Sequence, residues 1–233
     1  MNARTRTKLD MGDRALNFSR AHPDASPGYA AALTDLEQRL ARAQLLARAQ
    51  QEGINRRKAA NARKNALRRQ MSRAQLRHLA RVAKVAAKDT PELAGKLVLK
   101  SQLRAYRAFR AVAGSMVAEA QTQKELLVKH GLADTVLDSL VQSLDQFDRA
   151  ITEGTDALRT HVSARVELDV LGDEVVDRVQ VMDTLNRTRF ADDAATLAEW
   201  ETVSNVIGPA RPAAEKPESP APPSTGGGER PAA

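Results

Sequence analysis

Six cationic side chains, Arg69, Arg73, Arg77, Arg81, Lys84 and Lys88, recur at steps of three and four residues. On a helix that spacing gathers them into one stripe. A stripe of guanidinium and ammonium groups neutralises phosphates and releases their counterions. Arg56, Arg57, Lys58, Arg63 and Lys64 precede it, so a basic amphipathic helix over 56–88 is the candidate polyanion-binding element. Residues 39–88 hold 15 basic residues against one acidic residue, a net +14, whereas residues 131–208 hold six against 16, a net −10. The stripe therefore has two uses. It pairs internally with the acids of 134–187 and sets which helices lie side by side, or it stays free for a polyanion. Residues 91–130 add seven basic against three acidic residues, so even complete pairing leaves a basic surface. No aromatic residue interleaves the stripe, as stacking on single strands requires, and no helix-turn-helix or zinc finger accompanies it. The pattern supports non-specific binding to a polyanion and nothing sharper.

Other chemistry finds no local constellation. There is no cysteine, which removes thiolate nucleophiles, disulfides and sulfur-ligated metals. His22, His78, His130 and His161 are scattered, and none stands three residues after a glutamate, as a di-iron bundle needs. Asp173, Glu174 and Asp177 read as a solvated helix face, because they lack the loop of a dedicated calcium site. No Gly-rich phosphate loop or nucleophile elbow is present. The sequence thus predicts no catalytic residue, no cofactor, no metal and no small-molecule substrate. The N-terminal stretch has no apolar signal region, and no run approaches the roughly 20 apolar residues of a membrane span, so a cytoplasmic protein is expected. Helix 67–88 is amphipathic and basic like an interfacial helix, but its apolar face carries no Trp or Phe anchor. Membrane binding is not expected.

The elements that position these residues are legible in the apolar spacing. Aromatic residues are only 3% of the chain, so the core must be aliphatic, and Ala, Leu, Arg, Gln and Glu favour helix. The fold class is all-α: an elongated antiparallel bundle of coiled-coil-like long helices with a short C-terminal helix and disordered termini. Residues 1–25 read as a poorly ordered arm, 26–208 as the helical domain, and 209–233 as a disordered Pro/Ala/Gly-rich tail. Ser26-Pro27 marks a helix start, and a helix follows over 27–51. Gly53 either breaks it or sits inside a rod continuing through 54–88. At about 100° per residue, Leu67, Met71, Ala74, Val82 and Val85 share a face flanked by Leu79 and Ala86. Thr90-Pro91 restarts a helix over 91–129, which Gly131 ends.

From Leu137 a heptad register runs through Leu140, Leu144, Phe147, Ile151, Gly154, Leu158, His161, Arg165, Leu168, Gly172, Val175, Val179 and Met182. Its weak members, Gly154, His161, Arg165 and Gly172, invite a break. Asp192 is the expected cap of the last helix, which Trp200 docks. The functional expectation is a non-catalytic interaction or scaffold protein that self-associates through heptad seams with a protein partner or its own copies. The alternative is a non-specific nucleic-acid-binding protein using helix 56–88.

Overall fold

The computed structural model describes residues 1–99 and 105–206, and every regular element among them is helical. The proposed tail at 209–233 lies outside the described residues. Helix α2 (Pro27–Gln70) runs without a break into a π-helical turn, Met71–Gln75, and then into α3 (Leu76–Ala86). Gly53 therefore sits inside a continuous rod. Pro27 occupies the first turn, where its missing N–H costs nothing. Ser26 does not cap with its hydroxyl; its carbonyl accepts the Ala30 N–H at 3.0 Å. Helix α6 (Asp134–Arg189) has 56 residues, about 84 Å at about 1.5 Å each. It runs antiparallel to α2, as the ion pairs Arg39–Glu174 and Arg63–Glu153 show. No break occurs at Arg165 or Gly172.

These two helices form the seam. On α2 the buried positions Tyr29, Ala32, Leu36, Ala43, Leu46, Gln50, Gly53, Ala60, Leu67 and Met71 keep near-heptad spacing. On α6 the predicted Leu137, Leu140, Leu144 and Phe147 are buried, as are Leu168, Gly172, Val175, Val179 and Met182. Between these groups the register differs from expectation. Ala150, Ala157 and Ala164 are buried in place of Ile151, Leu158 and Arg165; Ile151 and Leu158 are half-buried and Arg165 is exposed. The cause is the close approach of the backbones. A Cβ built on Gly53 would stand 2.9 Å from the Ala157 carbonyl oxygen and 3.0 Å from the His161 nitrogen. A leucine does not fit between helices that close, so α6 turns by one residue and presents alanines. The heptad seam is thus satisfied within one chain, and the register alone no longer calls for a second one.

The two ends of this pair carry separate cores. At one end α1 (Ala3–Ala21) and α7 (Ala194–Ser204) pack on α2 and α6. Helix α1 corrects the expectation of a poorly ordered arm over 1–25. Its buried residues are Thr5, Leu9, Met11, Gly12, Ala15, Leu16, Phe18 and Ser19. Thr5, Gly12 and Ser19 are small or polar, and the apolar ones are confined to the stretch from Leu9 to Phe18, so no sustained apolar periodicity runs through 1–25. Thr5 donates to Asp169, and Lys8 pairs with Asp173. Trp200 is fully buried against Phe18 and donates to Asp183 at 2.8 Å. The cap of α7 is Asp193, which accepts from the Thr196 N–H at 3.1 Å, and not the expected Asp192.

At the other end α3, α4 (Tyr106–Thr122) and α5 (Lys124–Lys129) pack on the first third of α6. The helix expected over 91–129 is absent from its first part. Pro91–Leu93 forms one 3₁₀ turn, Ala94 is extended, and Gly95 takes φ +87°, a conformation that costs a residue with a Cβ. Gly131 ends α5 as predicted. With φ +97° it closes a Schellman motif, in which the Leu132 N–H reaches the Leu127 carbonyl and the Gly131 N–H reaches that of Val128, both at 2.9 Å.

The π turn corrects a further expectation. Its signature is the Leu76 N–H donated to the Met71 carbonyl five residues back. One such turn absorbs an extra residue, so every downstream side chain lags by about 100° relative to a straight α-helix. Leu76, Leu79, Val82, Ala83 and Ala86 consequently join Leu67 and Met71 in the core. Ala74 is exposed, and Val85, expected in the core, is 50% exposed. Deleting Ala74 removes that extra residue and lets the turn close as α-helix without moving the downstream face. We expect the deletion to shift the melting midpoint by only a few degrees, roughly 1 kcal/mol. A deletion that melts this core would show that the turn is required for more than phase.

Candidate polyanion-binding face

The π turn also determines where the cations go. On a straight α-helix Arg81 would lie about 120° round from Arg69, at about 100° per residue. With one residue absorbed, the offset falls to about 20°, and Lys88 returns to within about 20° of Arg69. Arg69, Arg73, Arg77, Arg81, Lys84 and Lys88 thus follow one line along the rod. All six are exposed. Among the described residues none of them forms an ion pair. The line is about 28 Å long, or about eight base pairs of duplex at about 3.4 Å each.

Five acids of α6 are engaged with other cations. On α6, Asp134 pairs with Lys124 at 3.1 Å, Asp148 with Arg110 at 2.8 Å, and Glu153 with Arg63 at 2.8 Å. Glu167 meets Arg42 at 3.0 Å, and Glu174 meets Arg39. Internal charge matching therefore uses Arg39, Arg42, Arg63, Arg110 and Lys124, and leaves the line open.

The flanking cations divide. Arg56, Arg57, Lys58 and Arg107 are exposed. Lys64 lies 3.9 Å above the Tyr106 ring, and its ammonium is held below the ordinary lysine range by burial and then by Arg57. The Arg68 guanidinium packs against the Tyr106 and Phe109 rings at 5.6 and 5.5 Å. Lys96 is spent on Glu119. Lys100 and Arg104 lie outside the described residues. The structure thus brings together the six residues read from the sequence and assigns Arg63, Arg68, Lys96 and Arg110 to other contacts. What sequence reasoning missed is the turn that straightens the line. Its only trace is that no single straight register buries Leu67, Leu76, Leu79 and Ala86 together.

An apolar groove of about 550 Å³ lies beside the line, between α3 and residues 93–99. Ala80, Ala83, Leu93, Leu97 and Val98 line it, with Arg77, Arg81 and Lys84 in its walls. At the other candidate, the acids near Asp173 split between two cations. Lys8 holds the Asp173 carboxyl below its ordinary range, and Glu174 faces Arg39. Among the described residues no group of three His, Asp or Glu side chains is placed to hold a metal, and no helix is long and apolar enough to cross a membrane. Comparison with protein-family models, curated proteins and solved structures gives no match.

Proposed function

We propose that this chain is a non-catalytic helical protein that binds the phosphate backbone of nucleic acid without reading sequence, along the line from Arg69 to Lys88. One observation carries the reading: six cations share one exposed line, and none is used in an ion pair among the described residues. A charge stripe built only to align helices would face its acids; Asp134, Asp148, Glu153, Glu167 and Glu174 of α6 face other cations. The long rod supplies rigidity, so little ordering entropy is lost when a phosphate strand lies along it.

Binding of a random duplex of about 20 base pairs, followed by fluorescence anisotropy, tests the proposal. Six phosphate contacts give a salt slope near −5, and affinity falls about a thousandfold between 50 and 200 mM salt. No binding at 50 mM salt would end the reading. Anionic vesicles form the competing arm, because the apolar groove adjoins Arg77, Arg81 and Lys84. Vesicle binding without duplex binding would transfer this face to lipid.

A further inference from the structure

The α2–α6 pair leaves one apolar stripe uncovered. Val162, Val166 and Val170 are 49%, 57% and 55% exposed and stand four residues apart on the outer face of α6. Arg159 precedes them and Asp173 follows, with side chains 79% and 69% exposed. At about 100° per residue these five side chains fall within about 40° of the line through Val166. In a core helix such valines would be covered. Here α2 takes the opposite face through Ala157, Ala164 and Leu168, and α1 takes the flank through Asp169 and Gly172.

The stripe is its own complement. Place a second copy of α6 antiparallel to the first, with a two-fold axis beside Val166. Val166 then meets Val166, and Val162 meets Val170 twice. Arg159 meets Asp173 of the second copy, also twice. Within one copy these two charges are separated by about 21 Å of helix, so they cannot pair with each other. Each has a charged neighbour of its own, Lys8 at Asp173 and Asp156 at 3.6 Å from Arg159. A carboxylate with further lone pairs and a guanidinium with further N–H groups can each take a second partner. An isologous interface requires that each residue find its mate at the mirrored position, and here both the apolar and the charged positions satisfy it. A partner of uniform charge would leave one end of the stripe facing like charge.

We propose that this face of α6 is a homodimer interface, closed by Val162, Val166 and Val170 and oriented by Arg159 and Asp173. The heptad seam is filled within the chain, so the second copy docks on a different face. The inference is independent of nucleic-acid binding, which uses the opposite part of the molecule's sequence.

The full chain lacks cysteine, which makes a direct test available. Val166→Cys places the only thiol on the two-fold axis, and mild oxidation should convert most of the protein to a disulfide-linked species of twice 25.3 kDa. Val85→Cys, an exposed valine on α3, should crosslink far less. Light scattering on the unmodified chain should give the doubled mass, and Val166→Asp should halve it with an unchanged circular dichroism spectrum. Arg159→Asp should also give monomer, and adding Asp173→Arg together with Lys8→Gln, which removes the ammonium that now faces Asp173, should restore the dimer. A 25.3 kDa particle at about 100 µM, or equal crosslinking at Val85 and Val166, would overturn the proposal. So would a dimer indifferent to Val166→Asp.

Discussion

With Arg69, Arg73, Arg77 and Arg81 all replaced by glutamine, the salt slope of duplex binding should fall from about −5 to about −2. Each phosphate contact contributes about 0.9 to the slope, so four lost contacts remove about 3.6. Relative to a common value near 1 M salt, affinity at 0.1 M should drop by roughly a thousandfold or more through counterion release alone. The fold should survive. The four side chains are exposed and form no ion pair among the described residues, and glutamine is a good helix former. Arg42→Gln with Arg63→Gln is the matched control. That pair removes cations engaged with Glu167 and Glu153, exposed pairs worth about 0–1 kcal/mol each, and should leave the slope near its starting value. A quadruple variant with an unchanged slope would mean that phosphates sit elsewhere.

Much of this arrangement could be read from residue types, and the unread part has a common physical cause. Long rods follow from sustained spacing: Leu137 to Phe147 and Leu168 to Met182 lie where heptad arithmetic puts them. Trp200 is a large apolar ring in a polar neighbourhood, and its burial followed from that alone. Errors arose where a seam is built from small side chains. Thr5, Gly12 and Ser19 on α1 are buried beside the short apolar run from Leu9 to Phe18, and as small or polar residues they break its periodicity. Ala150, Ala157 and Ala164 displaced larger neighbours because the distance between helices, set by Gly53 on another segment, is a tertiary quantity. The π turn belongs to the same class. Nothing in Met71–Gln75 announces it, and it exists because the downstream leucines and valines bury only if one residue is absorbed. The six cations were found from their spacing. That they lie in line and remain unspent depends on that turn and on where the acids of α6 found other partners.

The waist between the two cores yields the second large effect. Gly53→Leu should destabilise the protein by about 3 kcal/mol or more, the upper range for overpacking. At Gly53 the nearest atoms to an added Cβ are backbone atoms of α6, Ala157 O at 2.9 Å and His161 N at 3.0 Å. Backbone cannot rotate aside as a side-chain tip does. Sliding offers no relief either, because Phe147 at one end and Val175 at the other are locked in separate cores. Gly53→Ala should still cost about 1 kcal/mol, since a helix-propensity gain of up to about 1 kcal/mol is outweighed by the same contact. Across the seam the sign reverses. A Cβ on Gly154 meets only the Ala60 Cβ, at an ordinary 3.6 Å, so Gly154→Ala should stabilise by about 0.5–1 kcal/mol. Urea midpoints for the two alanine variants separate the explanations. Were both glycines present merely to soften their helices, both substitutions would raise the midpoint. A close approach of backbones predicts that only the substitution on α6 does.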